Sequence, residues 1–127
     1  MNILIDTNHY TDFAKNDPSA VSCFLAADLI AVPFVAIAEL RAGFRNGSLI
    51  AQNESRLERF LRNTKVRVLF ADDQTTMVYA DIYAQLRRQG TPIPTNDIWI
   101  AALAAQHSLP LYTRDRHFDG RQNLTCI

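Results

Sequence analysis

Cysteine is almost missing from this chain. Cys23 and Cys126 are the only two, without CxxC spacing or a Cys/His cluster. That argues against a disulfide scaffold and against a structural zinc site. The four glycines form no P-loop and no GxGxxG, and no nucleophile elbow is present, so the standard phosphate-cradling and acyl-transfer signatures are missing. Ser19, Ser22, Ser48, Ser55 and Ser108 lack a matched His/Asp setting. No apolar run approaches the length of a membrane span. The run Ile3–Ile5 is too short for a secretory leader, and Asp6 interrupts it. There is no repeat, low-complexity tract or long linker, so residues 1–127 read as a single domain. Net charge is lacking too: thirteen basic and thirteen acidic side chains cancel.

What is present is a core. Hydrophobic residues make up 48% of the chain and charged residues 20%, which suits a folded, soluble protein of a reducing, cytoplasmic compartment. Charge is uneven along it. Between Arg41 and Arg67 lie seven basic residues (Arg41, Arg45, Arg56, Arg59, Arg62, Lys65, Arg67) and two acidic ones, Glu54 and Glu58. Such a stretch is either a solvated helix face or a surface for phosphates.

The pattern alternates strand and helix. Strands are expected at Asn2–Ile5, Leu29–Val32, Val66–Phe70, Leu109–Thr113 and Asn123–Ile127. Helices are expected at Asn8–Lys15, at Ser19–Ala27 after the breaker Asp17-Pro18, from Pro33 to about Phe44, and over Leu49–Asn63. Asp72 and Asp73 cap a further helix that stops near Gly90, and Thr95 or Asn96 caps one running to about His107. A loop or short helix is expected at Arg116–Gly120. Strands separated by helices predict an α/β fold, a central parallel sheet with helices on both faces. Ligands of such folds collect at the carboxyl ends of strands, near a topological switch point.

Four carboxylates stand in apolar settings. Asp6 directly follows the first strand, where it could simply cap the next helix. Glu39 lies within VAIAELRAGF, where a salt bridge to Arg41, Arg45 or an arginine elsewhere would account for it. Asp97 lies in TNDIWIAALAA, in the first turn of the most apolar helix, where a negative charge suits the helix dipole. Asp115 lies in LYTRDRHF, past a strand end, as an ordinary turn residue or a partner for Arg114 or Arg116. A parallel sheet could gather all four at one edge. Two like charges about 5 Å apart repel by about 3 kcal/mol at an effective dielectric near 20. A cation would relieve that, and oxygen ligands suit Mg²⁺ or Mn²⁺.

LIDTN, AEL within a helix, NDIWIAA and TRDRHF, in that order and spacing, resemble the four acidic motifs of PIN-domain ribonucleases, in particular the VapC-type toxins of bacterial toxin–antitoxin pairs. The resemblance spans Asp6 to Phe118. It implies a three-layer α/β/α domain and Mg²⁺- or Mn²⁺-dependent cleavage of RNA phosphodiesters, the alternative being a catalytically weak RNA- or metal-binding module of the same fold. It also implies an antitoxin partner and a homodimer. Residue by residue, it makes Asp6, Glu39, Asp97 and Asp115 the catalytic acids, with Asp6, Asp97 and Asp115 on the metal and Glu39 on it directly or through water. Thr7 and Asn8 would position Asp6 or its water. The chain departs from the family at His9 and Tyr10, where aliphatic residues are usual, and at Pro33, where serine or threonine often opens the helix. Asp119 is a neighbouring competitor to Asp115. The segment VRVLFADDQ is similar to the start of a phosphoreceiver domain, but too little chain follows it. The haloacid-dehalogenase signature needs an aspartate where Asn8 stands.

Overall fold

In a computed structural model, residues 1–113 are described. The order is β1 (Asn2–Ile5), α1 (Thr7–Ala14), α2 (Pro18–Ala26), β2 (Leu29–Pro33), α3 (Phe34–Arg45), α4 (Ile50–Leu61), β3 (Val66–Leu69), α5 (Asp73–Gln89), α6 (Thr95–Gln106) and β4 (Leu111–Tyr112). The strands form one sheet in the order β3-β2-β1-β4, and every pairing is parallel. The expected strand at Asn123–Ile127 and the segment Arg116–Gly120 lie outside the described residues.

Alternation along each strand builds the three layers. Ile3 and Ile5 of β1, Ile30 and Val32 of β2, and Val66 of β3 pack with Tyr10, Leu40, Leu57 and Phe60 on one face. Leu4, Ala31 and Leu111 point the other way, onto Ile100, Ala101, Leu103 and Ala104 of α6. Both faces are covered, which is why β1 and β2 read as unbroken aliphatic runs rather than as alternating polar and apolar residues. On the first face, Phe13 and Phe24 stack with centroids 4.6 Å apart, and Phe60 leans on both. Phe44 packs against the same cluster, whereas Phe34 belongs to the second.

The strand order fixes where a site can form. From β1 the chain steps outward through β2 to β3, then returns through α5 and α6 to place β4 on the other side of β1. The carboxyl ends of β1 and β4 therefore flank a switch point, where neighbouring connections leave on opposite faces and open a crevice.

Several boundaries differ from the sequence reading. Thr95 and Asn96 are not caps: Pro94 is the N-cap of α6 and offers no side-chain bond. Its carbonyl accepts the backbone N–H groups of Asp97 and Ile98 at 3.0 and 3.2 Å, so Thr95–Asp97 already form the first turn. Pro33 likewise sits just before α3 rather than within it. Phe70 falls beyond β3 and stands 71% exposed, against Phe34 at 6.3 Å. Strand β4 is short because Pro110 has no N–H to give the ladder, although its carbonyl accepts from Leu4 at 2.9 Å.

Helix α5 begins and ends as its sequence dictates. Asp72 and Thr75 form a reciprocal capping box, and Gly90 takes the left-handed conformation (φ 68°) that closes the helix. The Thr75 hydroxyl is fully buried and also meets Gln106, which donates to Asp72 at 3.0 Å. This cluster joins the start of α5 to the end of α6. Thr75→Val keeps the shape but leaves the Gln106 carbonyl and the Asp72 N–H without their partner. A loss of about 1–3 kcal/mol is expected, read as a lower urea midpoint with an unchanged slope.

Candidate active site

Asp6 occupies the carboxyl end of β1 at the switch point, and it is only 5% exposed. Both of its oxygens are engaged by neutral donors. Oδ1 accepts the His9 backbone N–H at 2.9 Å, which caps α1. Oδ2 accepts the Thr113 hydroxyl, which reaches across the crevice from the end of β4. The cap thus accounts for one oxygen, and the switch-point contact for the other. Thr113 was not among the residues singled out from the sequence. Its signal was its place, a hydroxyl one step past the strand that pairs with β1.

Glu39 lies on the second turn of α3, half-buried, and its Oε1 accepts the Thr7 hydroxyl at 2.8 Å. Thr7 directly follows Asp6, so this bond brings Glu39 to the same corner. The salt bridges suggested between Glu39 and Arg41 or Arg45 do not form. Arg41 and Arg45 both turn to Glu54 of α4, at 3.1 and 3.6 Å, and Glu54 is a half-buried brace rather than a free surface charge. Asp97 is half-buried in the first turn of α6. That helix leads back into β4, so its N-terminus sits at the carboxyl edge of the sheet. Asp115 lies outside the described residues. Asn8 is exposed and makes no hydrogen bond to Asp6 among the described residues, while Thr7 serves Glu39 rather than Asp6.

Among the described residues no ion pair neutralises Asp6 or Glu39. Hard oxygen donors at one edge suit Mg²⁺ or Mn²⁺ in chemistry. The described His, Cys, Asp and Glu side chains do not by themselves assemble three ligands around one point. A cage built on Asp6 would therefore need a donor from the last fourteen residues or a shift of the half-buried acids.

His9 is buried in the first turn of α1. It is 6% exposed and meets Tyr112 edge-on, with centroids 4.2 Å apart. Burial pushes its pKa below the usual value, and the carboxylates of Asp6, Asp12 and Asp17 pull only partly the other way. The basic stretch is also less free than its charge suggests. Lys65 donates to the carbonyls that end α2, and Arg67 to those of Thr64 and Val66. With Arg41 and Arg45 engaged by Glu54, the exposed cations on α4 and at its end are Arg56, Arg59 and Arg62.

The PIN domain family model matches residues 3–123. The chain belongs to the PIN domain family. Ribonuclease VapC5 of Mycobacterium tuberculosis is 32% identical to this PIN domain over 106 residues, covering 81% of this chain and 78% of that protein. Ribonuclease VapC1 of Haemophilus influenzae (strain R2866) is 31% identical over 116 residues, covering 88% and 85%. The solved structure of VapBC-1 from nontypeable Haemophilus influenzae superposes with a TM-score of 0.86 at 26% identity, over 100% of this chain and 97% of that one. The three-layer fold is therefore that of the family. No helix among the described residues is long and apolar enough to cross a membrane.

Proposed function

We propose that this PIN domain is a metal-dependent endoribonuclease that hydrolyses RNA phosphodiester bonds, acting as the toxin of a toxin–antitoxin pair in the cytoplasm. The observation that carries the reading is Asp6: a buried carboxylate at the switch point, with neutral donors on both oxygens and Glu39 drawn beside it through Thr7. Relatives named ribonucleases cover most of the chain, which favours RNA over other phosphodiesters.

Asp6, Asp97 and Asp115 would hold Mg²⁺ or Mn²⁺, with Glu39 beside them. The ion would supply a water acidic enough to attack phosphorus near neutral pH and would offset charge on the phosphoryl and leaving oxygens. The protein's own part is positional. Thr113 and the His9 N–H fix both oxygens of Asp6, and Thr7 fixes Glu39. Arg56, Arg59 and Arg62 attract the RNA backbone, a contribution that weakens as salt rises. Phe70, Met77 and Tyr83 are exposed large hydrophobic residues beyond β3 and along α5, and they support a protein interface, either the homodimer or the antitoxin.

The test is cleavage of labelled RNA by the purified chain with Mg²⁺ and with EDTA. Cleavage is expected with Mg²⁺ and is expected to stop with EDTA. Undiminished cleavage in EDTA would remove the metal-dependent reading. RNA binding without cleavage, across many substrates, would favour a binding module of the same fold.

A further inference from the structure

Helix α5 is the least covered helix among the described residues. Of its seventeen residues only Thr75 and Leu86 are buried. One side rests on α6: Tyr79 meets Trp99 with centroids 4.4 Å apart, and Ile82 packs against the same layer. At 3.6 residues per turn, Asp73, Met77, Ala80, Ala84 and Arg87 share a stripe on the opposite side. Its spacing alternates four and three residues, the pattern of a seam between two helices. Met77 is 63% exposed, and Tyr83, at the edge of the stripe, is 47% exposed.

The stripe is its own complement. Met77 and Tyr83 stand three residues before and after Ala80, and Asp73 and Arg87 stand seven before and after it. Two antiparallel copies of α5 crossing on a twofold axis at Ala80 therefore set Met77 against Tyr83 and Asp73 against Arg87, twice each. Ala80 meets itself at the axis, where a small side chain lets two helices approach to about 8 Å. Among the described residues neither Asp73 nor Arg87 is in an ion pair; Arg87 donates only to the Tyr83 hydroxyl of its own helix, at 3.4 Å. The helix dipole alone would favour an acid at the start and a base at the end. It does not account for exposed Met77 and Tyr83 placed evenly about an alanine. An RNA backbone is not favoured here, because Asp73 and Asp81 offset Arg87 and Arg88. The apolar surface also continues beyond the helix. Tyr83 stacks on Tyr79, Trp99 links Tyr79 to Phe34, and Phe34 meets Phe70, which is 71% exposed. One helix seam is small against the roughly 800 Å² that each partner of a stable complex buries, and this aromatic ridge flanks the seam and adds to it.

We infer that the outer face of α5 is where two copies of this chain meet, their α5 helices antiparallel about Ala80, with Asp73 of each copy paired to Arg87 of the other. This commits the exposed residues beyond β3 and along α5 to a second copy rather than to the antitoxin. The inference rests on the proposed function only for the expectation that a protein covers this face, and not on the cleavage chemistry. Asp6, Glu39 and Asp97 lie on other elements, so changes to the stripe leave those acids in place.

Sedimentation velocity on the full chain reads the association directly. The parent is expected to run as a dimer. Ala80→Glu sets two like charges on the axis from an exposed helical position, and it is expected to weaken the dimer by about a hundredfold with an unchanged circular-dichroism spectrum. Asp73→Arg and Arg87→Asp each oppose like charges twice, and each is expected to weaken the dimer by about tenfold or more. Mixed in equal amounts, these two variants are expected to form a heterodimer near the parental affinity, because every arginine then meets an aspartate. That recovery would also show that both variants are folded. A monomeric parent overturns the interface, as does a dimer that Ala80→Glu leaves intact. Weakened single variants that do not recover on mixing overturn the antiparallel pairing. The expected pattern in a chain that cuts no RNA would keep the interface and count against the ribonuclease reading instead.

Discussion

Asp6→Asn is expected to lower RNA cleavage by at least about a hundredfold while leaving the fold intact. The substitution separates two jobs of one side chain. Asparagine caps a helix as well as aspartate does, so its oxygen can still accept the His9 N–H. Its amide nitrogen would then face the Thr113 hydroxyl, which can rotate to accept. What disappears is the negative charge. Thermal unfolding within a few degrees of the parent, together with lost cleavage under saturating Mg²⁺, is the expected pair of results. Cleavage retained near the parental rate would show that Asp6 is only a cap. Thr7→Val offers a graded comparison, because it leaves every carboxylate in place but frees Glu39 from its hydroxyl. Losses for groups that orient a metal's ligands run at about 10–100-fold, so Thr7→Val should fall between the parent and Asp6→Asn.

Local signals along the chain and contacts between distant elements were not equally legible. Periodicity is local, and it located the elements well: the aliphatic runs at Ile3–Ile5 and Leu29–Val32 could only be strands covered on both faces, and Gly90 marked the end of α5 because few other residues accept its backbone. Helix entries at prolines were less legible. Pro94 supplies extended backbone before α6 without any side-chain bond, so the polar Thr95 and Asn96 gave a false signal of a cap. The acids themselves could be picked out because carboxylates in apolar segments are rare. Their partners could not, since side-chain pairing depends on which elements meet. Arg41 and Arg45 were plausible neighbours of Glu39 on one helix, but Glu54 arrives from α4 and takes both. Thr7 was expected to position Asp6 or its water, and its hydroxyl bonds Glu39. His9 carried no sequence signal of burial, because its cover, Tyr112, comes from a strand more than a hundred residues away. Thr113 was hidden for the same reason. The proposed contribution of Asp115 concerns a segment beyond the described residues, and the Asp6 and Thr7 variants bear on the reading independently of it.

Leu103→Ala is expected to show the opposite profile to Asp6→Asn, large in stability and small in chemistry. Leu103 is fully buried in α6, in the layer shared with Leu4 of β1 and Leu111 of β4. Truncating a leucine in such a position costs about 2–5 kcal/mol, because the cavity left behind collapses only in part. A domain of this size has a total stability of about 5–15 kcal/mol, so a melting temperature lower by on the order of 10–20 °C is expected. Leu25→Ala is the control: Leu25 is 70% exposed, and its loss should stay within about 0.5 kcal/mol. Below its new melting point, the Leu103 variant should still cleave RNA within about tenfold of the parent, since every acid and its hydrogen-bond donors remain. Helix α6 nevertheless carries Asp97 in its first turn, so activity should fall steeply as the temperature approaches the lowered transition. If Leu103→Ala instead abolished cleavage while fully folded, the position of α6 would be tuned to the chemistry through Asp97, and the packing beneath it could not be treated as scaffold alone.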